Sequence, residues 1–135
     1  HRAAADREAL IEGILDGTVD MIATDHAPHT AEEKSRGLER SLFGIVGLET
    51  AFPALYTHLV KPGIITLEKA VDLMAGAPRR RFNLPLGNDW SVWDLNASYS
   101  VDTQTFATKG RATPFEGMQL YGKCIATVFD GNIIQ

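Results

Sequence analysis

Apolar positions along this chain change their period twice. In the first segment Leu10, Ile11, Ile14 and Leu15 recur at helical spacing, so residues 7–16 are predicted to form an amphipathic helix. Asp6 is placed to cap its start and Gly17 to end it. Residues 19–24 then read Val-Asp-Met-Ile-Ala-Thr, a mostly apolar, β-branched run that predicts a buried strand. Residues 30–42 are densely charged with no sustained apolar face, which predicts a loop beside the end of that strand. The helical period returns through Leu48, Ala51, Phe52, Leu55 and Leu59, with Pro53 either in the first turn or at a kink, and Pro62-Gly63 makes a turn. Thr66 caps the next helix, whose buried side is Leu67, Ala70, Val71, Leu73, Met74 and Ala75. Gly76 is expected to close it, and Pro78 to open a separate short helix through Phe82.

Beyond the turn Leu84-Pro85-Leu86-Gly87-Asn88 the texture changes. Short runs rich in Val, Tyr, Thr and Phe are separated by turn signals, the pattern of antiparallel β structure. Strands are predicted at 90–95 and 99–101, and a hairpin joins 124–129 to 132–135 through Asp130-Gly131. Residues 109–117 form a long irregular excursion between them. A helix feeding an apolar strand that feeds further helices is the signature of a parallel α/β layer. Only one such strand is present, and its backbone groups need neighbours. The chain is therefore expected to be a piece of a larger α/β protein, divided into an α/β part at 1–86 and a small β region at 87–135.

Composition narrows the class. With 135 residues, 44% apolar and 22% charged, the sequence is that of an ordinary globular chain. A formal net charge of −4 and the absence of a long basic run argue against a nucleic-acid partner. Arg79-Arg80-Arg81 is the one basic cluster and reads as a solvated helix face. A single cysteine, Cys124, excludes an internal disulfide and fits a reducing, cytoplasmic setting. No apolar run approaches the roughly 20 residues of a membrane span, and no signal-peptide pattern is seen at the amino end.

Candidate chemistry gathers where the predicted strand ends, at Asp25-His26-Ala27-Pro28-His29. A charged Asp deep in a sheet needs a partner, so Asp25 is expected at the strand's carboxyl end, where parallel α/β folds place ligands. Pro28 stiffens the following loop, and Asp25 and His29 form the leading pair. The plain alternative is a loop that only caps the next helix. A self-contained metal site is less favoured, because adjacent residues at a strand end point apart; at most one of Asp25, His26 and His29 is expected to ligate a metal directly. Gly44 and Gly47, ahead of the second helix, either let backbone approach a ligand or only allow tight packing.

Three separated motifs carry a resemblance. They are Ala23-Thr24-Asp25-His26-Ala27-Pro28-His29, then Phe43-Gly44-Ile45-Val46-Gly47-Leu48-Glu49-Thr50-Ala51-Phe52-Pro53, then Lys109-Gly110-Arg111-Ala112-Thr113-Pro114-Phe115-Glu116-Gly117. In this order they resemble the bacterial class I dihydroorotases of the amidohydrolase superfamily, over the carboxyl-terminal third of that family's usual length. The resemblance implies the end of a metal-dependent (β/α)8 TIM-type barrel, with the Asp25 strand as the eighth, followed by part of a small β-sandwich domain. It implies reversible hydrolysis of dihydroorotate to N-carbamoyl-aspartate in pyrimidine synthesis. It makes Asp25 both a zinc ligand and the general base, His29 the group that binds the substrate carboxylate, and Phe43 and Gly44 the donors of backbone groups to the substrate ring. His26 is left with a supporting role. A metal would lower the pKa of bound water toward ~7, and a nearby carboxylate can shuttle its proton.

The family's other ligands for one or two zinc ions belong to upstream sequence that this chain does not contain, so the chain alone is expected to be inactive. Ala112 stands where the family motif has Asn. The implied partners are the amino-terminal portion of the same protein, a second copy in a homodimer, and, in some members, aspartate transcarbamoylase. Two other readings stand beside this one. Hydantoinases and allantoinases carry a similar Asp-His, although His29 suits an anionic substrate. A non-catalytic subunit that scaffolds aspartate transcarbamoylase is the other, and the intact Asp25 argues against it.

Overall fold

The computed structural model describes residues 4–134. The amino-terminal helix α1 (Ala4–Asp16) begins somewhat earlier than the apolar pattern indicated. It buries only Ile14 of its four-residue stripe, leaving Leu10 and Leu15 more than half exposed. Gly17 ends it with φ 88°, and the Val19 N–H donates back to the Gly13 carbonyl at 2.7 Å.

Residues 19–24, predicted as a strand, run outside any described ladder; a parallel bridge nearby pairs His26 with Ile45. A strand is defined by partners, and the apolar run has few here: Ile22 N–H donates to the Leu73 carbonyl at 2.9 Å, and Val19 and Ile22 pack on the core. The pattern identified the segment's apolar character correctly, and the missing ladder removes the strand.

The charged stretch is also more ordered than expected. A short helix α2 (Ala31–Lys34) is started by a capping box, in which the Thr30 hydroxyl accepts from the Glu33 N–H and Glu33 Oε2 accepts from the Thr30 N–H. Next, α3 (Ala51–Leu55) runs directly into a π-helical stretch (Tyr56–Val60), with Pro53 buried in the first turn, where a missing N–H is tolerated.

Thr66 caps α4 (Leu67–Val71), its hydroxyl accepting from the Lys69 N–H at 3.1 Å. The expected break at Gly76 does not occur. Gly76 takes ordinary helical angles, and α4 continues through a π-helical stretch (Asp72–Gly76) into α5 (Ala77–Phe82). The widened turn precedes Pro78, whose ring and missing N–H a regular α-turn would not accommodate. Asn83, left-handed at φ 52°, is the true stop. One core joins these helices, formed by Ile14, Ile65, Ala70 and Leu73, with Val19, Ile22, Leu59, Val60 and Ile64 packed around it.

The carboxyl-terminal region is a three-stranded antiparallel sheet ordered β1 (Trp90–Ser100), β2 (Gln119–Phe129), β3 (Asn132–Ile133). The two short strands predicted at 90–95 and 99–101 are one long strand, because the irregular register between Asp94 and Ser98 is absorbed locally. There Asp94 Oδ1 accepts the N–H groups of Asn96 and Ala97. The Asp130-Gly131 hairpin forms as predicted, both residues taking positive φ. The sheet rests on α3 and its continuation. Phe52 packs against Trp93 with ring centroids 4.5 Å apart, and Thr57 Oγ1 accepts the Tyr121 N–H at 2.8 Å. Gly122, buried at φ 91°, lies under Phe52 and Tyr56.

Candidate active site

The three motifs are far apart in sequence and meet in one place. The strand-end segment lies alongside residues 43–48: Ala27 N–H donates to the Ile45 carbonyl at 2.9 Å. Gly44, at φ 124°, sits so close to Ala27 that a β-carbon there would come within 2.4 Å of Ala27 Cβ. A β-carbon at Gly47 would stand 3.1 Å from the Thr24 carbonyl oxygen. Neither position has room for a side chain, so both glycines let the two backbones approach closely. The third motif closes over both: Val46 N–H donates to the Ala112 carbonyl at 2.9 Å, and buried Gly110 packs on Pro28 and Val46. Here Ala112 acts through its backbone, for which the side chain is immaterial. Glu49 helps hold this excursion, its carboxylate accepting N–H groups from Ala107 (3.0 Å) and Thr108 (3.3 Å).

Asp25 stands at the exposed lip of this arrangement with φ 47°. A left-handed conformation is uncommon for a residue with a side chain, Asp and Asn being the more tolerant types. Among the described residues its carboxylate makes no hydrogen bond or ion pair, so both oxygens are open to a ligand.

His29 is brought to the same site, but its Nε2–H donates to the Phe43 carbonyl at 2.8 Å. Its Nδ1 lies 3.8 Å from Glu33 Oε2. Glu33 itself is held below the usual carboxylate range, chiefly by the Thr30 backbone N–H and also by the Thr30 hydroxyl. The Phe43 side chain is almost wholly exposed, which leaves its backbone as the part tied into the site.

Two residues outside the leading pair shape the site. His26 turns its ring toward residues 43–48, where Nδ1 accepts from the Gly47 N–H (3.0 Å) and the Leu48 N–H (3.3 Å). Lys34 Nζ donates to the carbonyls of Leu42 (2.9 Å) and Gly44 (2.7 Å). Lys34 drew no notice in the sequence because it lies in the stretch read as a charged loop. The signal that could have found it is Thr30-x-x-Glu33, a capping-box pattern that fixes where α2 starts and which way Lys34 points.

A metal ion has no complete site in these residues. Among the described residues no three His, Cys, Asp or Glu side chains gather closely enough to hold one, whereas catalytic zinc takes three protein ligands. Asp25 offers one carboxylate ligand.

No protein-family model matches the chain. Over 98% of its length it is 53% identical to the dihydroorotase of Halalkalibacterium halodurans and 52% identical to that of Shouchella clausii. It spans about a third of the length of these curated relatives, covering 33% of each. Among solved structures, it superposes on the L-hydantoinase (dihydropyrimidinase) of Arthrobacter aurescens with a TM-score of 0.87 at 27% identity. That match covers 98% of this chain and 32% of the other. The dihydropyrimidinase of Brevibacillus agri gives a TM-score of 0.89 at 21% identity, also over 98% of this chain and 32% of that one, a likeness of fold alone.

Proposed function

Starting from a chain homologous to the dihydroorotases over about a third of their length, we propose that it is the carboxyl-terminal part of a dihydroorotase. The complete protein would open the ring of dihydroorotate to N-carbamoyl-aspartate, reversibly. The observation that carries this reading is the convergence of the second and third motifs on the segment that carries Asp25, whose carboxylate has no partner among the described residues.

In this reading residues 1–86 belong to the end of a (β/α)8 barrel and 87–135 to a small β-sandwich domain. The mostly apolar segment at 19–24, outside any ladder among the described residues, fits the first assignment, because a barrel's last strand finds its neighbours in other parts of the barrel.

Asp25 would take the proton of the attacking hydroxide and pass it to the leaving ring nitrogen, as a positioned carboxylate can. His29, whose Nε2–H here donates to the Phe43 carbonyl, would exchange that bond for one to the substrate carboxylate. Phe43 and Gly44 would present backbone groups to the ring. Zinc is proposed as the metal of the complete protein, with Asp25 as one ligand and the remainder outside this chain.

The hydantoinase reading has the structural likeness in its favour, but the higher identity lies with dihydroorotases, and a histidine at position 29 suits a substrate that carries a carboxylate, which an uncharged hydantoin lacks. The test is ring opening of dihydroorotate by the full-length protein, before and after chelation and on return of zinc. Turnover that chelation abolishes and zinc restores is expected. No turnover of dihydroorotate with zinc present would overturn the reading.

A further inference from the structure

Asp25 is held in a left-handed backbone conformation at the end of an extended segment that has almost no ladder of its own. Such a conformation persists only where the surroundings over-determine it. Two contacts on its carboxyl side do so. Ala27 N–H is fixed to the Ile45 carbonyl, and the His26 ring is fixed through Nδ1 to two consecutive backbone N–H groups, those of Gly47 and Leu48. An imidazole nitrogen can accept only when it carries no proton, so Nδ1 must be the bare nitrogen and Nε2 must carry the hydrogen. The same ring thus grips residues 47–48 while its own backbone follows Asp25. Those residues lie directly downstream of Phe43 and Gly44.

We infer that His26 is a positioning residue: by accepting from the Gly47 and Leu48 N–H groups at Nδ1, it sets the orientation of Asp25 relative to the Phe43–Gly44 backbone. This rests on reading Asp25, Phe43 and Gly44 as the reacting and binding groups. Gly47 makes the arrangement possible, because any side chain there would press on Thr24 and move the two N–H groups away from the ring. The His26 ring acts on backbone N–H groups and through them on where Asp25 and the Phe43–Gly44 backbone meet.

The two ring nitrogens can be told apart by amide isosteres. In the full-length protein, His26→Asn places an oxygen where Nδ1 was, His26→Gln places one where Nε2 was, and His26→Ala supplies neither. Two readouts are taken on each variant: amide hydrogen exchange of a peptide spanning 44–50, and kcat and KM for dihydroorotate. For Ala and Gln, exchange should speed up at least tenfold and kcat/KM should fall at least tenfold. Asn should stay within about threefold of the parent in both. Rescue by Gln but not by Asn would overturn the inference in favour of a role for Nε2. Three variants alike, whether all as active as the parent or all equally impaired, would also overturn it. If the parent protein does not open dihydroorotate, the substrate reading falls, yet the exchange pattern of Asn against Gln still decides the role of His26.

Discussion

The antiparallel sheet and the strand-end site are both built around extended backbone, and they satisfy it in opposite ways. In the sheet, β1 and β2 pair along their length, the hairpin adds β3, and apolar side chains such as Leu120 and Val128 seal the buried face. Around Asp25 the ladder shrinks to one bridge, and the backbone is held by side chains and close glycine contacts: the His26 ring, the Lys34 ammonium, the His29 ring and the Gly44 approach. A ladder gives stability that hardly depends on any one side chain. A site assembled from side-chain grips depends on each of them, which suits a place where a carboxylate must be aimed.

The largest way to sharpen this contrast is at Asp25. Asp25→Asn in the full-length protein should lower kcat for dihydroorotate by about 10²–10⁴-fold, the range for loss of a general base, and leave the melting temperature almost unchanged. A variant that loses stability as much as rate would place Asp25 in the structural framework and break the distinction. Trp93→Ala should do the reverse. Removing the ring packed at a tilt against Phe52 should destabilise the fold by about 2–3 kcal/mol, less than for a fully buried Trp because Trp93 is half-buried, with kcat little changed. Denaturant unfolding with steady-state kinetics checks both halves.

Gly44→Ala should fall between these. Its β-carbon would collide with Ala27 and its φ is one that L-residues avoid, so a loss of about 2 kcal/mol and a raised KM are expected together. The smallest effect concerns pH. The Glu33 carboxyl is lowered by its bonds from Thr30, so the capping box is fully present above the ordinary carboxylate range. It should be lost only as pH falls through the lower folded value. The Thr30 amide chemical shift followed by NMR titration should move below that range; movement at or above it would show that the box does not hold Glu33 ionised.

The sheet and the site also differ in how far they could be read from sequence. Asp130-Gly131 announces its hairpin because two positive-φ positions demand such residues, and Thr66 announces a helix start because its hydroxyl has a local N–H to meet. These are local signals, and the structure bears them out. The run at 19–24 does not form a strand here because strand identity depends on partners that no local pattern contains. The stop assigned to Gly76 fails for a similar reason: glycine permits a break without requiring one, and the helix widens before Pro78 instead. At the site, residue types picked out Asp25 and His29, the resemblance added Phe43 and Gly44, and the structure brings their segments together. The grips made by His26 and Lys34 were hidden because they act on backbone groups many residues away.

The central claim is that this chain carries the base and the anion-recognising end of a dihydroorotase site. It is tested most directly by kcat/KM of the full-length protein for dihydroorotate and for hydantoin, measured in parallel with the His29→Ala variant. A strong preference for dihydroorotate that collapses in the variant, with the low hydantoin rate unaffected, is the predicted result. Preference for hydantoin, or a dihydroorotate preference that survives loss of His29, would contradict it.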